Sequence, residues 1–321
     1  MTSGADVLIV SLGSTAGLRA ADAQLAGALR RAGARVAVAA ARPAKIPLRT
    51  MALCDLRDAL ACRTAAASAI AVGRPRSIIY STVTAALLWP QAGAIRFDSR
   101  AADNRPGRHG VWQRPLERRR LLQSTLLLPW SRSASVDGIV LPVSVDPSGP
   151  TGERDITAIT YAAHPHKKGL DRVLAAWRAA RRPGERLLVA GVERLPEPVE
   201  GAEATGMLER AAYRALLRRA RVFVCAPRRE DHGIAQLEAL ADGCALVTSA
   251  APGPYAALSI ARDLDKRLVV ADPRDLPTAL RVALDDGVSD YAERAARALA
   301  PLRAAAVDRL VCETVLPALL S

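Results

Sequence analysis

Val222-Phe-Val-Cys-Ala-Pro227-Arg-Arg-Glu230-Asp-His-Gly233-Ile-Ala-Gln-Leu-Glu238-Ala-Leu-Ala-Asp-Gly243-Cys-Ala-Leu-Val-Thr-Ser249 decides the fold. It reads as a strand over Val222–Ala226, a charged loop, a helix over Ile234–Ala241 opening at Gly233, a Gly243 stop, and a strand over Ala245–Ser249. Strands that are apolar at nearly every position are covered on both faces, and a helix joining two of them makes them parallel. The same alternation precedes this stretch, with strands at Ile156–Tyr161 and Arg186–Ala190 and helices at Leu170–Arg181 and Leu208–Ala220. Residues 275–320, rich in alanine and leucine, are expected to be mostly helical.

Further toward the N-terminus the pattern starts afresh. The apolar run Val7–Val10 ends in the Gly13–Gly17 loop; a helix over about Ala20–Arg31 stops at Gly33, and a strand follows at Arg35–Ala40. Ser77–Tyr80, Ala94–Phe97 and Gly138–Val143 read as further strands, and the Pro/Gly-rich stretch Asp146–Gly152 as a linker. The expected fold class is therefore α/β, with two Rossmann-like domains facing a cleft. The expected bounds are 1–147 for the first domain, 148–300 for the second, and a helix at 301–321 packing back toward the first domain. In open parallel sheets ligands sit at the carboxyl ends of the strands, so the loops there are the candidate site.

With 321 residues, half of them apolar, the chain has ample material for two cores and is not of disordered composition. No apolar run reaches the ~20 residues of a membrane span, and Met1–Asp6 lacks the basic start of a signal peptide, so a cytoplasmic protein is expected. Five scattered cysteines fit buried thiols better than a zinc site or a disulfide framework. The charge is lopsided: residues 1–150 hold 20 Lys and Arg against 9 Asp and Glu, net +11 of the total +13. That asymmetry suggests that the first half meets something anionic. A nucleic-acid binder is the alternative suggested by charge, but only 3% of residues are aromatic, too few for stacking platforms, so no nucleic-acid partner is expected.

Two segments carry the candidate chemistry. In the quoted stretch, Gly233 lets the backbone approach a ligand closely, and the helix start offers free N–H groups and a favourable dipole to a diphosphate. Glu230 in the loop and Glu238 in the helix can accept hydrogen bonds from sugar and ribose hydroxyls. Arg229, Asp231 and His232 share that loop. The second segment, Thr160-Tyr161-Ala162-Ala163-His164-Pro165-His166-Lys167-Lys168-Gly169-Leu170-Asp171, places lysines between the first strand and first helix of the second domain. A cation there can neutralise charge on a departing phosphate.

Lys168-Gly169-Leu170-Asp171, the Glu230-to-Glu238 spacing and the Ala239–Gly243 stretch together resemble the retaining glycosyltransferases of family four, also described as glycosyl transferases group 1. Gly13–Gly17 with its helix, and Val140–Asp146, extend the resemblance more weakly across the first domain. The resemblance implies the GT-B architecture and transfer of a sugar from a UDP- or GDP-linked donor with retention at the anomeric carbon. No cofactor or metal is then required. Lys168 and Lys167 would bind the donor diphosphate and Glu230 the donor sugar, with Arg229 and Asp231–Gly233 beside it. Glu238 would hold the ribose, Gly13 would lie against the diphosphate, and Met207 and Leu208 after Gly206 would meet the base. Asp98 stands where many members carry a histidine, which makes Glu230, Lys168 and Asp98 the expected catalytic set. Ala162-Ala163 occupies the place of the family's Gly-Arg, so a second cation must come from His164, His166, Lys167, Arg228 or Arg229. An epimerase or phosphorylase of the same fold is the alternative enzyme.

The first domain also holds eight arginines between residues 96 and 120. Arg105 and Arg108, in the Asn104–Trp112 segment, are expected to hold an anionic or lipid-linked acceptor or to touch an anionic membrane, giving a peripheral association at the inner membrane face. Asp263-Leu264-Asp265 has a metal-chelating spacing, but its mixed-charge surroundings assign it no metal role.

Overall fold

The computed structural model describes residues 4–44, 46–105, 107–132, 137–150, 152–286 and 290–321. The chain divides into two compact units, one of residues up to Ser144 together with Leu302–Ser321, the other Val145–Pro301. Each is built on its own parallel sheet.

In the first unit β1 (Val7–Ser11), β2 (Val36–Ala40), β3 (Ser77–Tyr80), β4 (Ala94–Phe97) and β5 (Leu127–Pro129) lie in the order β2-β1-β3-β4-β5. Successive side chains of β1 alternate faces, as the strand period of two requires. Val7 and Ile9 pack with Leu25 and Leu29 of α1 (Ala16–Arg31) and with Val307, Val311, Val315 and Leu319, a four-residue repeat on the C-terminal helices. Leu8 and Val10 face Ala59, Cys62 and Ala66 of α2 (Met51–Gly73). Threonines start both helices, Thr15 accepting from the Leu18 amide and Thr50 from that of Leu53.

The second unit contains β6 (Ile156–Tyr161), β7 (Leu187–Ala190), β8 (Ala202–Ala204), β9 (Ala220–Cys225), β10 (Ala245–Ser249) and β11 (Val269–Val270), ordered β11-β10-β9-β6-β7-β8. The chain leaves β6 in one direction through β7 and β8, and later returns to the other side through β9, β10 and β11. The direction reverses between β6 and β9, and such a switch point is where open α/β sheets bind ligands. In the first unit the reversal lies between β1 and β3.

The described part of the expected linker is anchored to the second unit. Ser148 donates from its amide and hydroxyl to the buried Asp242 carboxylate, at 2.7 and 3.0 Å, and Arg214 donates to the Asp146 carbonyl. Thr151 lies outside the described residues.

Gly138–Val143 does not form the expected strand. Ile139 and Leu141 donate to the carbonyls of Leu127 and Pro129 in the short β5, but Pro129 has no N–H to return and no ladder closes. Gly17 belongs to the first turn of α1 rather than to the loop. The expected Leu208–Ala220 helix is Arg210–Arg219, because β9 already begins at Ala220. Strands β5, β8 and β11, and the long α2, have no counterpart in the expectation.

Candidate functional site

The loops after β6 and β9 are stitched together at the switch point. The Arg228 amide donates to the Lys167 carbonyl at 2.9 Å, and the Lys168 ammonium donates to Glu230 Oε2 at 2.5 Å. Both members of that ion pair are largely removed from solvent. Lys168 sits at the end of the turn Pro165–Lys168, and Gly169 redirects the chain into the next helix at φ +66°. A Cβ on Gly169 would run into the Ala226 carbonyl oxygen, so only glycine lets the two loops approach this closely.

Glu230 is held from behind. Gln236 Nε2 donates to Glu230 Oε2 at 3.2 Å and also reaches the Tyr255 hydroxyl, which pairs with Thr248 at 2.8 Å. Gln236 lies in the first turn of the helix Ile234–Ala241, whose first intrahelical bond runs from the Leu237 amide to the Gly233 carbonyl. The amides of Ile234, Ala235 and Gln236 therefore face outward at the helix start, an anion-binding geometry beside Lys168 and Glu230. Gly233 opens this helix at φ +88°, where an added Cβ would press on Ala257 Cβ at 2.9 Å.

Neighbouring charges are paired. Arg228 forms a two-pronged bridge to Asp171, and that guanidinium holds the Asp171 carboxyl below its usual range. Arg229 is bound to Asp231 at 2.9 Å. Lys167 also reaches Asp231, at 3.4 Å, while remaining half exposed. Of the cations considered for the missing family arginine, Lys167 is thus the least committed lysine or arginine. His232 is buried, with its carbonyl accepting from Ala257.

Glu238 belongs to a second cluster. Its Oε1 accepts from Arg210 at 2.7 Å, with Arg214 at 3.6 Å, and Arg214 also binds Asp242 at 2.6 Å. Tyr161 and Tyr213 stack at a tilt beside it, with ring centroids 5.4 Å apart. Burial, then the Glu238 charge, raises both phenols above their ordinary range. The buried Tyr213 hydroxyl has no hydrogen-bond partner among the described residues. Met207 is exposed and its amide is taken by Glu193 at 3.3 Å, while Leu208 is half-buried.

In the first unit, a cavity of ≈ 170 Å³ opens at the β1/β3 switch point, lined among others by Ser14, Asp55, Thr82, Asp98, Arg105 and Gln113. Asp98 accepts from the Ser99 amide at 2.8 Å. Gly13, at φ +56°, accepts from Arg19 through its carbonyl. Arg105 does not present an open cation. Its guanidinium is bound in a bidentate pair to Asp55, at 2.6 and 2.9 Å, which removes the basis for expecting it to grip an anion. Arg108 is exposed, and Pro106 of this segment lies outside the described residues. Gln113 donates to Asp55 at 3.0 Å, and its buried Oε1 has no hydrogen-bond partner among the described residues.

Sequence reasoning missed Gln236, Tyr255, Arg210, Arg214 and Asp242. The four-residue spacing of Arg210 and Arg214 on one helix was the signal available for that pair. Asp265 caps the turn after it by accepting from the Arg267 amide. Among the described residues no cluster of His, Cys, Asp and Glu is arranged to hold a metal ion. No helix among them is long and apolar enough to cross a membrane.

Residues 154–286 match the family model described as glycosyl transferases group 1. No curated protein matches the chain. Among solved structures it is similar to sucrose-phosphate synthase from Thermosynechococcus elongatus, with TM-score 0.70 and 14% identity over 94% of this chain and 96% of that one. It is also similar to WaaG, a glycosyltransferase involved in lipopolysaccharide biosynthesis, with TM-score 0.67 and 13% identity over 96% and 99%. Anabaena Alr3699/HepE, solved in complex with UDP and glucose, gives TM-score 0.64 and 13% identity over 97% and 99%. Residues 154–286 thus carry a glycosyl transferases group 1 domain, and the protein is a transferase enzyme of GT-B fold acting on glycosyl groups.

Proposed function

We propose that the protein transfers a sugar from a nucleoside-diphosphate donor, UDP- or GDP-linked, to an acceptor hydroxyl with retention of anomeric configuration. The observation that carries this reading is the Lys168–Glu230 pair beside the open amides of the helix at Ile234, at the switch point of the second sheet. Alr3699/HepE, of like fold, was solved with UDP and glucose, which supports a nucleotide-sugar donor.

In this reading the donor diphosphate draws the Lys168 ammonium toward itself and lies on the amides of Ile234–Gln236. Glu230, released from Lys168, accepts hydrogen bonds from the sugar hydroxyls, while Gln236 holds its carboxylate in place. Glu238 accepts from the ribose, and Tyr161 with Tyr213 flanks the nucleoside. As the bond from the anomeric carbon to the phosphate oxygen breaks, its electron pair goes to the diphosphate, where Lys168 and the helix start stabilise the charge. The acceptor oxygen bonds to the same face of the anomeric carbon, and its proton passes to the departing phosphate oxygen. Charge neutralisation by protein groups makes a metal unnecessary, so transfer should persist in EDTA.

The acceptor is engaged by the cavity of the first unit. Carboxylates, hydroxyls and the open Gln113 carbonyl oxygen line it, which suits hydroxyl groups and not phosphates. The test is a donor panel with product analysis by NMR. Release of nucleoside diphosphate with an α-configured product from an α-configured donor supports the reading. Inversion, or absence of turnover with every nucleotide sugar, refutes it.

A further inference from the structure

The long helix α2 carries an unexpected outer face. Its buried residues Asp55, Ala59, Cys62 and Ala66 define one side. The opposite side is the stripe Leu53, Leu56, Leu60, Thr64, Ala67 and Ala71, all exposed and none charged. A surface helix ordinarily turns charged and polar residues to water, so an apolar outer stripe marks a contact surface. Leu53 is 47% exposed, Leu60 49% and the neighbouring Ile46 56%. Together with Ala44, Leu48 and Leu56 they line an open groove of ≈ 400 Å³.

The charge around this groove has one sign. Residues 38–74 contain six Lys and Arg against two Asp, Asp55 and Asp58. Both carboxylates are engaged, by Arg105 and Arg57 respectively. Arg42 and Arg49, two residues before Ala44 and one after Leu48, are exposed and make no ion pair among the described residues. In the arginine-rich segment 96–120, where the sequence suggested anion contact, Arg108, Arg118 and Arg119 are exposed, while the other five arginines are used internally. Arg96 lies buried over Trp130, Arg100 binds Asp103, Arg105 binds Asp55, and Arg114 and Arg120 donate to backbone carbonyls.

We propose that this face docks on an anionic lipid surface, the leucine stripe of α2 entering the interface and Arg42 and Arg49 meeting lipid phosphates. Apolar insertion combined with a basic rim is the chemistry by which a helix lies in the plane of a charged membrane. A twofold contact with a second copy would set the same basic rim against itself, so like charges oppose that occupant.

The experiment is co-sedimentation of the full chain with phosphatidylcholine vesicles, with and without phosphatidylglycerol. Sedimentation is expected only with phosphatidylglycerol and should weaken with salt. Leu53→Ser/Leu56→Ser/Leu60→Ser and Arg42→Ser/Arg49→Ser should each lower the partition coefficient roughly tenfold. Arg194→Ser, an exposed arginine of the second unit, should leave it unchanged. All of these side chains are exposed, and the melting curves of the variants check that the fold persists. The proposal is overturned by equal binding to neutral vesicles, by no binding to either, or by an equal loss in Arg194→Ser. It is also overturned if light scattering shows a dimer that the leucine variants dissociate, since a second copy then covers the face.

Discussion

If Lys168 serves the donor diphosphate, Glu230 competes for it, and neutralising Glu230 should strengthen nucleotide binding while harming catalysis. Two unit charges 2.5 Å apart attract by about 6–7 kcal/mol at an effective dielectric constant of about 20. Desolvation and side-chain ordering return most of this, and the lysine side chain keeps 19% of its exposure, leaving a net of about 1–2 kcal/mol. A diphosphate that draws the ammonium away must overcome that amount. In Glu230→Gln the cost vanishes, so UDP or GDP should bind about five- to thirtyfold more tightly by calorimetry. Turnover should fall by about a hundredfold, since the sugar loses the carboxylate that orients it. Lys168→Met should do the opposite to affinity, losing about 1.5–3 kcal/mol of charge-assisted hydrogen bonding to phosphate. Equal weakening of nucleoside diphosphate binding in Glu230→Gln and Lys168→Met would refute the reasoning, because Glu230 would then be a ligand of the nucleotide and not a competitor for Lys168.

Glu238→Gln should weaken UDP or GDP binding by about ten- to a hundredfold while leaving inorganic pyrophosphate binding unchanged, since only the nucleotide has a ribose to lose. Equal effects on both ligands would place Glu238 elsewhere in the site. Gly169→Ala, whose Cβ would meet the Ala226 carbonyl oxygen, should destabilise the second unit by more than about 3 kcal/mol and lower its melting step by about 10 °C. An unchanged melting step would show that the two loops have room to separate. Asp22, buried against Ser11, has its pKa raised, chiefly by desolvation. The fold therefore binds its proton more tightly than the unfolded chain does, and stability falls as pH rises above the ordinary value of 3.8. Relative to Asp22→Asn, the wild-type first unit should lose melting temperature between acid and neutral pH; parallel curves would exclude this burial penalty.

Much of the site's machinery was legible because it is local. Strands such as Ser77–Tyr80, Ala94–Phe97 and Ala245–Ser249 are short, mostly apolar segments, and their limits in the structure are those the sequence indicates. The helix Ile234–Ala241 was equally plain, bracketed by Gly233 and Gly243. By contrast α2 is alanine-rich and apolar on both sides, so it shows no amphipathic period to read. Strands β8 and β11 have three and two residues, too few for any period, and owe their pairing to the neighbours they lie against.

The chemistry divides along the same line. The sequence by itself determined that a lysine ends one strand-to-helix loop, that a glutamate precedes a glycine-opened helix, and that strands alternate with helices, because these depend on neighbours within a few residues. Only the tertiary structure decided that Lys168 meets Glu230 across 62 positions, that Arg105 is bound by Asp55, and that the leucines of α2 face outward. Sheet order sets those encounters: the reversal between β6 and β9 brings two distant loops side by side, and a charge's partner is fixed by which loops the sheet makes adjacent.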